Sequence, residues 1–175
     1  MFLPSRFIKI FFSIHLVPIF PIKNILINRL GENKYKGLFS LIALLGLLII
    51  IYGFSRADFY PIWDPLPYSK EIALALMPIS MILLAAANIQ TNIKKFIKHP
   101  MLIGILIWSF VHLIANGDLR SIILFGSFGT YALIDIFFSK KVLTTNIEVK
   151  YTLSKDIMVI IIGLVAYLII VYYHL

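Results

Sequence analysis

KHPMLIGILIWSFVHLIANGD, residues 98–118, holds two of the four histidines of the chain, one of its two tryptophans and its Asn-Gly-Asp turn. No charged side chain lies between Pro100 and Gly117, so the segment is long enough to cross the core of a bilayer. A histidine is costly inside such a segment unless something uses it. His112 therefore reads as a residue facing the interior of a helix bundle.

Working outward, the whole composition agrees. The chain has 175 residues, of which 61% are hydrophobic and only 14% charged. Its mean hydropathy of +0.96 lies outside the range of soluble domains. The charges fall in clusters between long apolar runs, the pattern of an all-α polytopic transmembrane helix bundle forming one integral membrane domain over 1–175. A net charge of +8 points first to nucleic acid. The basic residues sit in short connections, however, where a topology signal explains them better. The expected partner is the lipid bilayer, with no nucleic acid. There are no cysteines, which excludes disulfides, iron–sulfur clusters and thiolate ligands. No removable signal peptide is expected, because the first apolar run lacks a small-residue cleavage site and continues into Pro18 and Pro21.

About six spans are expected, near 5–22, 38–54, 72–89, 100–115, 119–138 and 157–173. Between the first two, Lys23 to Lys36 reads as a basic loop. After the second comes SRADFYPIWDPLPYSK, residues 55–70, whose Tyr60, Trp63 and Tyr68 look like an interfacial aromatic belt. Pro61, Pro65 and Pro67 block regular helix there. Asn116-Gly117 reads as a sharp reversal, since both residues tolerate left-handed backbone angles. Asp118 is placed to cap the fifth span, and so short a connection makes the fourth and fifth helices antiparallel neighbours. Gly126 and Gly129, with Ser127 beside them, read as a close helix–helix contact. Asp135, inside the fifth span, is placed to pair with Lys140 and Lys141.

The connections after the first, third and fifth spans hold eleven Lys and Arg residues, against five at the N-terminus and after the second and fourth spans. This positive-inside bias puts both termini and the Asn-Gly-Asp turn on the outer, periplasmic side of a bacterial inner membrane.

His99 and His112 are 13 residues apart, about 20 Å of helical rise, so they cannot share one metal atom. His99 opens its helix at the interface, and His174 lies at the chain end. His15, in the first span, comes to a depth comparable with that of His112. Two histidines at similar depth on different helices are the usual way a bundle clamps a haem. The alternative is that each hydrogen-bonds within the bundle and holds nothing. No phosphate loop, paired-histidine zinc spacing or nucleophile elbow is present.

The run His99-Pro100-Met101-Leu102, Trp108, His112-Leu113, Ala115-Asn116-Gly117-Asp118-Leu119 and Leu124-Phe125-Gly126 closely resembles the NnrU family of integral membrane proteins. His15-Leu16-Val17-Pro18, Arg29-Leu30-Gly31 and Lys36-Gly37-Leu38-Phe39-Ser40-Leu41 extend the resemblance. That family includes the zeta-carotene isomerase of plants and cyanobacteria, described as a haem b enzyme with two axial histidines. The resemblance implies haem b held by His15 and His112, with Trp108 and Ser109 lining the pocket. In the isomerase branch a cysteine precedes the second histidine by three residues and is thought to exchange onto the reduced iron. Ser109 stands there in this chain, and a serine is a poor ligand for ferrous iron. An isomerase activity thus rests on the resemblance alone. The bacterial branch implies a link to nitric oxide metabolism and denitrification. Two classes of function follow. One is a haem protein with a redox, nitric-oxide-linked or isomerase role. The other is a cofactor-free membrane transporter or an assembly partner of the denitrification machinery.

Overall fold

The structure, a computed structural model, describes residues 22–138 and 152–174. The expected first span with His15, and residues 139–151 of the expected polar loop with Lys140 and Lys141, lie outside the described residues. Seven helices are formed among the described residues: α1 (Ile22–Leu30), α2 (Glu32–Arg56), α3 (Ser69–Ala86), α4 (Ile93–Phe96), α5 (Pro100–Ala115), α6 (Leu119–Phe138) and α7 (Leu153–His174). Pairing of extended backbone is confined there to an isolated bridge between Pro61 and Asp118. Helices α2, α3, α6 and α7 are each long and apolar enough to cross a membrane, while α5 is apolar but shorter. The all-α architecture is thus observed, and four of the about six expected spans are met by helices of membrane-crossing length and composition.

The basic stretch Lys23–Lys36 is not the loop that its charge suggests. It is helical except at Gly31, whose φ of 79° breaks α1 from α2. Lys36 and Glu32 stand one turn apart as an exposed ion pair at 2.6 Å. Lysine stems can lie along apolar surface while their ammonium groups reach water, so a membrane helix continues into charged sequence. The same physics starts α3 and α7 a few residues before the apolar runs at Ile72 and Ile157 begin.

Helices α7, α3, α5 and α6 stand side by side in that order, each packed on the next. Small residues set the spacing. A Cβ on Gly163 of α7 would come within 2.6 Å of the Ile82 backbone in α3, and one on Gly104 of α5 within 3.1 Å of the Ser80 carbonyl. Ser80 Oγ crosses the same seam to donate to the Gly104 carbonyl at 2.8 Å, fully buried. Met77, Met81 and Val111 form the core between α3 and α5, with Tyr167 and Ile170 of α7 against them.

Pro78 lies inside α3 without breaking it. Having no N–H, it leaves the carbonyl of Leu74, four residues earlier, without its helical donor. The hydroxyl of Tyr167 in α7 donates to that carbonyl at 3.2 Å. A neighbouring helix thus supplies the missing bond, which is how proline is tolerated where lipid offers no donor.

Helix α2 leans on α6 chiefly through buried Ile50, against Ile123, Leu124 and Phe128. Of the expected Gly126–Gly129 contact only half forms. Gly129 faces Ser109 of α5, whereas among the described residues a Cβ on Gly126 would meet nothing within 4 Å. Ser127 turns its hydroxyl back to the Ile123 carbonyl at 2.5 Å. Gly126, Ser127, Thr130 and Tyr131 instead line an open groove of about 460 Å³ along α6.

Candidate functional site

The site is built at one end of the α5–α6 hairpin. Helix α5 starts at Pro100, in the first-turn position where a missing N–H costs nothing. It ends where Asn116 adopts an extended conformation (φ −128°, ψ 121°). Both the backbone N–H and the side-chain Nδ2 of Asn116 donate to the carbonyl of His112, each at 2.9 Å. Asp118 then caps α6 as the sequence predicts. Its carboxylate accepts from the Ser121 N–H at 3.1 Å and from the Ser121 hydroxyl at 2.6 Å.

The reversal itself has a different cause from the one expected. Among the described residues only Tyr68 and Gly31 have positive φ, so neither Asn116 nor Gly117 is left-handed. Gly117 is required because backbone comes too close for a side chain. A Cβ there would lie 1.6 Å from the Trp63 carbonyl oxygen. The segment between α2 and α3 is drawn over the hairpin by paired backbone groups. Ile62 and Trp63 N–H donate to the Gly117 carbonyl (2.7 and 3.1 Å), Leu119 N–H to Tyr60 (2.9 Å), and Leu66 N–H to Ile114 (3.0 Å).

Below this closure sits His112. Its Nδ1 is 2.8 Å from the carbonyl oxygen of Trp108, one turn back. A carbonyl can only accept, so Nδ1 carries the proton and the basic lone pair is on Nε2. Phe125 of α6 stacks on the imidazole at 4.4 Å and 26°. The Trp108 ring lies 5.0 Å from it and meets Phe125 edge-on at 4.8 Å, so the three rings stand in a triangle. Phe128 closes on Trp108 at 5.6 Å, and Phe54 of α2 reaches Phe125 at 6.5 Å. The imidazole is thus oriented by a fixed hydrogen bond within an aromatic wall.

Arg120 lies above this wall. Its guanidinium covers the Phe54 ring at 4.9 Å and Phe59 at 5.7 Å. Nη1 donates to the carbonyl of Ala57, the residue that ends α2, at 3.1 Å, and Nε pairs with Asp118 at 3.2 Å. A cation on the last carbonyls of a helix complements its dipole.

Of the residues picked out by sequence, Trp108 and His112 are therefore brought together. Ser109 is turned into the seam with α6. It is buried, packed against Gly129, and its hydroxyl has no hydrogen-bond partner among the described residues. His99 opens α5 without a side-chain capping bond. Asp135 takes a hydrogen bond from Tyr131 one turn before it. Among the described residues no three His, Cys, Asp or Glu side chains converge on one point.

Sequence reasoning did not pick out Phe125, Phe54 or Arg120 as parts of the site. Phe125 carried a usable signal. In a tight antiparallel hairpin, residues equally distant from the turn face each other. Trp108 lies eight residues before Asn116 and Phe125 eight after Gly117. Phe54 and Arg120 carried none, because their meeting depends on how α2 leans on α6.

A helical membrane protein with an oriented, partly buried histidine against an aromatic wall near one end of its bundle is the class that these features define. The chain matches the model of the NnrU protein family over residues 6–175, nearly its whole length, and belongs to that family. Neither a curated protein nor a solved structure matches it.

Proposed function

We propose that this NnrU-family protein binds haem b in the membrane, with His112 as one axial ligand and His15 as the other. The state of His112 carries the reading. An imidazole whose Nδ1–H is held by a backbone carbonyl presents Nε2 as a basic nitrogen with its ring direction fixed, the arrangement that metal-ligating histidines use. The donor chemistry of the site therefore fits a haem iron. His15 enters through the family resemblance and its place in the sequence.

In this proposal Trp108 and Phe125 hold the ring against rotation and keep water from it, while Ser109 borders the pocket from the α5–α6 seam. Bound haem would supply one-electron or diatomic-gas chemistry. A redox or nitric-oxide-linked role follows more directly than isomerisation, because Ser109 offers no thiolate for ligand exchange. The outer, periplasmic face of a bacterial inner membrane is the proposed location of the His112 end.

The test is an absorption spectrum of the detergent-purified protein, oxidised and then reduced, after expression with ample haem. The expected result is a Soret band with sharp reduced α and β bands, lost in both His112→Leu and His15→Leu variants that still insert. A flat visible spectrum from folded protein would sink the proposal.

The packing of the imidazole favours one other reading. Phe125 stacked at 4.4 Å and the bond to Trp108 already account for His112 as a structural residue. On that reading the protein is a cofactor-free transporter or assembly partner, and His112→Leu changes stability without changing any spectrum.

A further inference from the structure

The segment between α2 and α3, residues 57–68, is an extended strap with most of its large side chains turned outward. Phe59, Tyr60, Ile62, Trp63, Leu66 and Tyr68 are between 43% and 76% exposed. Burying one such side chain is worth about 1.5–3 kcal/mol, and a continuous exposed patch of them marks an interaction surface. The level of the strap along the bundle shows what covers it. Arg120 on the Ala57 carbonyl ties the end of α2 to the start of α6, and Leu66 ties the strap to Ile114 near the end of α5. Ser69 N–H, at the start of α3, donates to Leu66 at 3.1 Å. Four helix ends therefore meet at one level, and at least three of those helices are apolar spans. That level is where the hydrocarbon must stop.

The backbone of the strap suits such a boundary. Pro61, Pro65 and Pro67 have no N–H, and the N–H groups of Ile62, Trp63 and Leu66 are bonded to the hairpin. With the Ala57 N–H bonded to Phe54, five backbone donors remain without a protein acceptor among the described residues, which the water of the head-group layer can satisfy. Its two carboxylates, Asp58 and Asp64, are offset by Arg56 and Lys70 just beyond its ends.

We infer that residues 57–68 lie in the plane of the membrane and seat their aromatic side chains among the head groups and upper acyl chains of the adjacent leaflet. The partner is lipid, and because the strap carries no excess positive charge that would call for anionic lipid, neutral phosphatidylcholine suffices. Tyrosine and tryptophan favour this depth because one end of each ring system is apolar and the other is wet.

Trp63 and Trp108 are the two tryptophans, so Trp108→Phe leaves Trp63 as sole reporter. The variant is reconstituted in phosphatidylcholine vesicles containing lipids brominated either near the top or near the end of the acyl chains. The expected result is blue-shifted Trp63 emission that falls more with the shallow bromines than with the deep ones. Emission unmoved by either bromine position would overturn the inference, whether iodide quenches it from water or a protein partner shields it. Stronger quenching by the deep bromines would overturn it too. If Trp108→Phe does not fold, the difference between wild type and Trp63→Phe reports the same signal.

Discussion

At Gly117 the side chain is a hydrogen atom because the Trp63 carbonyl occupies the place of a methyl group. Gly117→Ala must push the strap off the hairpin, where overpacking ordinarily costs about 1–3 kcal/mol. The full range or more is expected, because the clash is with backbone rather than with a flexible side-chain end. Gly126→Ala is the control of opposite sign. No other described part of the fold lies within 4 Å of its Cβ, and alanine gains about 1 kcal/mol over glycine inside a helix. Thermal unfolding in detergent should therefore separate the two variants in opposite directions from wild type. At this scale the sequence was legible in place but not in cause. Asn-Gly marked the reversal, yet left-handed angles were inferred where a long-range contact acts, and no local pattern discloses a neighbour so far along the chain.

Among the elements, α3 and α7 offer the sharpest test of how a membrane helix carries a proline. Tyr167→Phe should cost about 1 kcal/mol by leaving the Leu74 carbonyl without a donor. In a Pro78→Ala background the helical N–H returns, and the cost of Tyr167→Phe should fall towards zero. A double-mutant cycle measures the difference, and equal costs in the two backgrounds would refute the coupling. Asp118→Ala should lose about 1–2 kcal/mol from the α6 cap. It also leaves the partly buried Arg120 guanidinium without its carboxylate, so Asp118→Asn, which retains a capping oxygen, should fall between the alanine variant and wild type. Helix existence was readable from unbroken apolar runs, and the ends of α5 and α6 were set by Pro100, Asn116 and Asp118. Helix starts were misread where lysines continue a helix past the apolar region, as in α2. The His112 site was readable as a lone histidine in an apolar run. Its aromatic wall was readable only after the hairpin register is known.

For the whole molecule, the positive-inside bias makes a directional prediction. The strap and the Asn116–Gly117 turn should face the periplasm, and the Lys94-Lys95 connection the cytoplasm. The chain has no cysteine, so each introduced thiol is a unique label. In intact cells a membrane-impermeant maleimide should modify Asp64→Cys, and it should reach Lys95→Cys only after permeabilisation. The reverse pattern would invert the topology.

The latch between Trp63 and Gly117 also has a consequence for biosynthesis. Its two halves leave the ribosome at different times, with α3, α4 and α5 made between them. Until the α5–α6 hairpin is inserted, the N–H groups of Ile62, Trp63 and Leu66 lack the carbonyls that they meet in the finished protein. An unpaired amide is costly once withdrawn from water. The strap must therefore stay hydrated at the surface until the turn arrives. Closure of the latch is then a late assembly event that registers correct insertion of both helix pairs, and a chain whose fifth helix fails to insert would present the translocation and quality-control machinery with an unsealed aromatic segment.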